Sequence, residues 1–241
     1  MYASYYLELS IIIPAFNEAL NIANCIERTV ASNPNAEIII VDGGSDNTVE
    51  IVNKYLNRYP NLKYISNRPD LGKGHAIRVG IKNASGNFIA QLDSDLQFYP
   101  EELNKLIDPL KNNQADFILG SRFMANSTRN QGSTPVFRSF GNFFISAYAS
   151  FLFQIKMTDV LAGIKAWKKE VTDSFILESN TYSYEVELPI KAYLKGFRLL
   201  DMPVTTEARK NGVSSVRVIR VGLNVLFDIT KWRIKSLLGW I

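Results

Sequence analysis

The chain has 241 residues, with 27 Lys and Arg against 23 Asp and Glu, a formal charge of +4. This length predicts one domain with a substantial core, and the mild basic excess suits a phosphate-bearing ligand or an anionic membrane surface while being too weak for a nucleic-acid binder. The single cysteine, Cys25, excludes an internal disulfide and a cysteine metal cluster, which points to a reducing compartment and a core-filling role.

The opening stretch "MYASYYLELSIIIP" has no basic region followed by a long apolar segment, so no signal peptide is expected, and no run reaches the roughly 20 apolar residues of a spanning helix. "SIIIP" at 10–14 predicts a strand, and Ala19, Ile22, Ala23, Ile26 and Val30 then recur at helical spacing. "AEIIIVD" at 36–42 predicts a second strand, followed by a helix face of Val49, Val52, Tyr55, Leu56 and Tyr59. "LKYIS" at 62–66 predicts a third strand, after which the Gly-rich turn "DLGKGHA" opens a third helix. A fourth strand covers 87–92, a helix carries Leu103, Leu106, Ile107 and Leu110, and "ADFILGSR" predicts a fifth strand. Strands nearly continuous in Ile, Leu and Val and separated by helices imply a mostly parallel sheet covered on both faces, a doubly wound α/β architecture.

In such sheets ligands bind beyond the carboxyl ends of the strands. The first strand ends in Pro14-Ala15-Phe16-Asn17-Glu18, the second in Asp42-Gly43-Gly44-Ser45-Asp46 and the fourth in Asp93-Ser94-Asp95, so three acidic clusters are expected along one crevice. Asp93 and Asp95 stand one residue apart on an extended chain and project the same way. Their charges repel unless a cation sits between them; a cap for the helix opened by Pro100-Glu101-Glu102 is the other reading.

The motifs "PAFNE", "VDGGSDNT", "LGKGHAI", "LDSDLQFYPEEL", "GSRF", "DVLAGIKAWKKE", "YEVELPIKAYLKGFRLLDMPV" and "RKNGVSS", in this order, resemble the inverting GT-A glycosyltransferases of family 2, and among them the polyprenyl-phosphate (dolichyl-phosphate) mannose and glucose synthases. The resemblance implies a GT-A catalytic domain over residues 1–215. It places Pro14, Phe16, Glu18 and Asp42 at the nucleotide of a GDP- or UDP-linked sugar donor. It makes Asp93-Ser94-Asp95 a DxD element whose carboxylates, with Gln97, hold Mg²⁺ or Mn²⁺ against the donor diphosphate, and hard oxygen ligands suit those cations. Arg122 and Arg209 match positions that contact the diphosphate, and guanidinium forks suit phosphate oxygens. The acidic loop after Asp42 is one residue shorter than the usual pattern, which leaves Asp46 outside a simple match. Ser214-Ser215 stands where this branch commonly has Ser-Lys, so one phosphate-binding lysine is missing, with Lys210 a candidate substitute. Gly72 and Gly74 are expected to let backbone approach the nucleotide, and His75, the sole histidine, is read as structural.

The acceptor side is expected at "VFRSFGNFFISAYASFLF", 136–153, a segment suited to an interface or to covering substrate, where the resemblance assigns the acceptor phosphate to Arg138. From 217 onward Arg217, Arg220, Asn224, Asp228, Lys231 and Lys235 alternate with a face of Ile219, Leu223, Leu226, Phe227, Ile234, Leu237, Leu238 and Ile241. This predicts an amphipathic helix over 216–241, tipped by Trp232 and Trp240, that either lies in a membrane interface or packs on protein. The expected reaction is inverting transfer of mannose or glucose to a polyprenyl or dolichyl phosphate on the cytosolic face of a membrane by a cytoplasmic, peripheral enzyme. The alternatives are a family 2 enzyme acting on a saccharide hydroxyl, with Asp159 as first and Glu185 as second candidate for the base it needs, and a nucleotide-sugar binding protein without catalysis. The sequence leaves the oligomeric state open.

Overall fold

The structure, a computed structural model, describes residues 8–132, 135–209, 211 and 218–240. Its first half alternates as expected: β1 (Leu9–Ala15), α1 (Ile22–Ser32), β2 (Glu37–Asp42), α2 (Thr48–Leu56), β3 (Leu62–Ser66), α3 (Lys73–Asn83) and β4 (Phe88–Leu92). A 3-10 turn at Pro100–Glu102 leads into α4 (Leu103–Lys111) and β5 (Phe117–Ser121). The remainder is β6 (Thr128–Arg129), α5 (Val136–Phe153), β7 (Ile164–Lys168), α6 (Lys169–Asp173), α7 (Tyr184–Leu194), β8 (Leu199–Pro203), β9 (Thr205–Thr206) and α8 (Val218–Leu237).

The main sheet runs β3-β2-β1-β4-β7-β5-β8. β1 pairs in parallel with β2 and β4, β2 with β3, and β5 with β8. β7 is antiparallel to both of its neighbours, β4 and β5. The sequence reading did not resolve β7 and β8. β7 hides because Lys165, fully buried, interrupts its apolar pattern, and β8 because it is only partly covered and carries Asp201 at its centre.

Alternate side chains of the central strands enter two cores. Ile11, Ile13, Ile38 and Ile40 meet α1, α2 and α4 on one face, and Ile12, Ile39 and Val41 meet α3, α5, α7 and α8 on the other. Each fully buried Ile side chain contributes about 1.5–3 kcal/mol of hydrophobic stabilisation, so this two-sided burial fixes the register of the inner strands. Cys25 is buried in the first core, and burial pushes its thiol up to about 12, in keeping with a filler role.

The expected C-terminal helix is α8, but it is apolar on two sides. Val225, Ile229 and Trp232 are buried in the second core, while Ile219, Leu223, Phe227, Ile234, Leu237 and Trp240 are exposed. The expectation that Trp232 tips an outward face is therefore corrected: its helical position lies with Val225 and Ile229, facing the sheet. A hydrogen bond of 2.8 Å between Tyr148 Oη and Thr230 Oγ1 ties α8 to α5. Among the described residues no helix is long and apolar enough to cross a membrane. Arg217, Ile241, Lys210, Ser214 and Ser215 lie outside the described residues, as does the expected boundary at 215–216.

Candidate active site

Because β1, β2 and β4 are parallel and in register, their carboxyl ends open on one edge, and β7, running the other way, starts there. A cleft of about 720 Å³ occupies this edge. Its polar floor includes Pro14, Phe16, Glu18, Lys73, Asp93, Ser94, Asp95, Gln97, Arg122, Glu185 and Arg209, and its outer wall is formed by α5 and α8.

Asp93 follows β4 directly, and its backbone N–H donates to the Gly163 carbonyl at 3.0 Å. A Cβ on Gly163 would lie 2.1 Å from Asp93 Oδ2, so only glycine leaves the carboxylate its place. Lys73 Nζ sits 2.7 Å from Asp93 Oδ1 and 2.8 Å from Glu185 Oε1. Glu185 also pairs with Lys165 and accepts from Tyr184 Oη at 2.6 Å and Gln91 Nε2 at 3.2 Å. Lys165 and Gln91 are register partners on β7 and β4, which brings both to the same carboxylate. Burial works to raise the Glu185 carboxyl, but the Lys165 and Lys73 charges outweigh it and hold it at about 2. Burial raises Asp93 to about 6, since Lys73 offsets it only in part and Asp95 and Glu185 add to it. Burial works to lower the Lys73 ammonium, but Asp93 and Glu185 carry it well above its usual range; at Lys165 burial prevails and lowers it.

Asp95 points two ways. Its Oδ1 accepts from the Gln97 backbone N–H at 3.1 Å, and its Oδ2 accepts from Arg209 Nη2 at 2.6 Å and Nε at 3.2 Å. Arg209 also lies 3.7 Å from Glu18 Oε1, whose carboxyl is raised mainly by burial. Ser94 Oγ turns back to the Pro14 carbonyl at 3.1 Å, locking the β4 end against the β1 end. Asp93, Asp95 and Gln97 offer hard oxygens at one wall of the cleft. Among the described residues no three acidic, His or Cys side chains form a ready cage. That donor set fits Mg²⁺ or Mn²⁺, which commonly take one or two carboxylates and complete their shell with water and substrate phosphate.

Arg122, just past β5, is held by Asp159 through Nε to Oδ2 at 2.6 Å and Nη2 to Oδ1 at 2.8 Å, with the Arg122 backbone N–H adding a third bond at 3.0 Å. Asp159 is fully buried and does not line the cleft, whereas Arg122 does. Asp159 thus holds the Arg122 guanidinium from behind the cleft wall. The motif gave no sign of this, since the partners lie 37 residues apart.

Pro14, Phe16 and Glu18 line the cleft. Asp42 stands at the same edge but is buried, accepting from the Gly44 N–H at 2.8 Å and from Tyr64 Oη at 3.2 Å, and burial raises its carboxyl. Asp46 orders the loop, accepting from the Ala19 N–H at 3.0 Å and the Thr48 N–H at 3.1 Å. The glycines of the third turn meet protein. A Cβ on Gly72, at φ 106°, would lie 2.5 Å from the Asn180 carbonyl, and one on Gly74 would lie 2.4 Å from that of Ser179. His75 has a structural partner, with Nδ1 2.7 Å from Asn67 Oδ1. Lys73, Gln91 and Lys165 were missed by the sequence reading; a lysine inside a buried strand and one between two glycines were the available signals.

Arg138, in the first turn of α5, lines the cleft beside Phe137, Phe144, Ile219 and Leu223. Phe137, Phe140, Phe143 and Phe144 on α5 and Ile219, Leu223 and Phe227 on α8 are half or more exposed. The charged floor is thereby continuous with an apolar outer wall.

Comparison with known proteins bears on this arrangement. The sequence pattern described as Glycosyl transferase family 2 matches residues 10–174. A polyprenol monophosphomannose synthase of Mycolicibacterium smegmatis is 28% identical over 94% of this chain and 87% of its own. A dolichol-phosphate mannosyltransferase of Pyrococcus furiosus is 29% identical over 94% of this chain, which spans 64% of that longer protein. Glucosyl-3-phosphoglycerate synthase of Mycobacterium tuberculosis, crystallised with Mn²⁺, UDP and glucosyl-3-phosphoglycerate, superposes with a TM-score of 0.65 at 20% identity, covering 96% of this chain and 79% of that one. The expected GT-A fold is thus borne out, and the chain belongs to glycosyl transferase family 2 as a glycosyltransferase.

Proposed function

We propose that the protein transfers a hexose, mannose or glucose, from a GDP- or UDP-linked donor to a polyprenyl or dolichyl phosphate, with inversion, at the cytosolic surface of a membrane. The observation that carries this reading is the state of the two carboxylates that could serve as bases. Asp159 is locked by Arg122, and both carboxylate oxygens of Glu185 are taken, one by Lys73 and the other by Lys165, so neither carboxylate is placed to take a hydroxyl proton. A phosphate acceptor is already anionic and attacks the anomeric carbon without a strong base. The names of the relatives from M. smegmatis and P. furiosus agree with such an acceptor.

On this reading Pro14, Phe16 and Glu18 border the nucleotide, with Asp42 shaping the loop behind them. Arg122 and Arg209 grip the diphosphate, Arg122 being pre-aimed by Asp159. Asp93, Asp95 and Gln97 would hold Mg²⁺ or Mn²⁺, which when bound neutralises charge on the leaving diphosphate. Arg138 receives the acceptor phosphate while the isoprenoid lies along the apolar α5 and α8 wall. The exposed aromatic and aliphatic side chains of those helices, with the basic residues of α8, suit peripheral attachment to anionic lipid.

The test is donor turnover measured with a panel of GDP- and UDP-hexoses, Mg²⁺ or Mn²⁺, and either polyprenyl phosphate or soluble saccharide acceptors. Product only with the lipid phosphate supports the reading. Transfer to a saccharide hydroxyl alone supports the hydroxyl-acceptor enzyme, and tight donor binding without any turnover supports the non-catalytic one.

A further inference from the structure

Lys73 joins two carboxylates of the cleft, Asp93 and Glu185. It begins α3 between Gly72 and Gly74, both packed closely against the backbone of 179–181. Its ammonium bridges Asp93 Oδ1 at 2.7 Å and Glu185 Oε1 at 2.8 Å, with the rings of Tyr182 and Tyr184 each 5.8 Å away. Lys165 holds Glu185 from within the sheet and is fully buried, whereas Lys73 lines the cleft. Around the floor the carboxylates of Glu18, Asp93, Asp95 and Glu185 face Lys73, Lys165, Arg122 and Arg209.

We propose that Lys73 is a built-in counter-cation for Asp93, and that a divalent cation enters the site by taking Asp93 from Lys73 while Glu185 keeps the ammonium at the cleft wall. This rests on reading Asp93 and Asp95 as the cation ligands. The ammonium lies 2.7 Å from Asp93 Oδ1, so a cation that binds this carboxylate would compete with it for the same negative charge. Glu185 is the reason the exchange is local: its bonds from Lys165, Tyr184 and Gln91 fix it, and Lys73 retains one strong partner after losing the other. Lys73 is thus a positioning residue that sets how strongly the site binds metal before the donor arrives.

The experiment is Mn²⁺ binding to the full chain by calorimetry and electron paramagnetic resonance, without and with UDP or GDP, alongside thermal unfolding. Lys73→Met is expected to tighten Mn²⁺ binding without nucleotide at least about tenfold, the effect on a carboxylate of removing a charge within 4–6 Å. Lys73→Arg should return affinity toward wild type, and Asp93→Asn on the Lys73→Met background should erase the gain. Damage to the fold weakens metal binding and cannot imitate a gain; if Lys73→Met does not fold, Lys73→Gln carries the same expectation. Unchanged or weaker Mn²⁺ affinity in a folded variant overturns the proposal while leaving the cation site standing. Absence of Mn²⁺ binding by wild type and variant alike, even with nucleotide, overturns both.

Discussion

Arg122 and Asp159 meet through two parallel hydrogen bonds of 2.6 and 2.8 Å inside the protein, with only the arginine reaching the cleft. Removing one member of such a pair leaves a buried charge without its partner, at about 3–5 kcal/mol. Asp159→Ala is therefore expected to lose about that much stability in urea unfolding and to weaken donor affinity through a misdirected Arg122. A variant with wild-type stability and lost turnover would instead make Asp159 a base.

Asp95 has a different balance. Arg209, its partner, is partly exposed and near Glu18, so Asp95→Asn should change the melting temperature by only a few degrees. On the proposed reaction it should abolish Mg²⁺- or Mn²⁺-dependent transfer, read in a metal titration. Full activity at wild-type metal affinity would remove Asp95 from the ligand set.

Arg138 separates acceptors. With a lipid phosphate as acceptor, Arg138→Ala should reduce transfer by the roughly 2–3 kcal/mol of a charge-assisted phosphate contact, about 30- to 150-fold, through acceptor KM or kcat. Nucleotide affinity by calorimetry should stay near wild type, because the donor contacts belong to Arg122 and Arg209. A silent Arg138→Ala would direct attention to a different acceptor.

Glu185 predicts an acid limb in stability. Its folded carboxyl titrates at about 2 against an ordinary 4.5, so its contribution is complete above about pH 4.5 and is lost as pH falls toward 2. Glu185→Gln should therefore be less stable than wild type at pH 7, with the gap closing between pH 4.5 and 2 in denaturant melts. A gap independent of pH would show that the carboxylate's charge is not what stabilises.

The two sides of α8 predict opposite phenotypes. Phe227→Ser with Leu223→Ser, both on the exposed side, should reduce cosedimentation with anionic liposomes and leave the melting temperature near wild type. Trp232→Ala, inside the second core, should cost about 3–5 kcal/mol of stability. Unchanged liposome binding by the double variant would assign the exposed face to protein contacts.

The sequence by itself determined the layered sheet, because "SIIIP", "AEIIIVD" and "ADFILGSR" are apolar on both faces and can only be buried between helices. It also determined which acids crowd one edge, since parallel strands of similar length must end together: Asp93, Asp95 and Glu18 meet in the cleft for that reason. It could not determine what each charge touches. Lys73, Asp93, Lys165 and Glu185 come from four separate elements, and Asp159 finds Arg122 across 37 residues, so their pairing depends on β7 entering the sheet antiparallel beside β4. Which acids are bases, ligands or props, and which side of α8 faces outward, are decided by through-space Coulomb interaction and burial, and only the packed chain sets those distances.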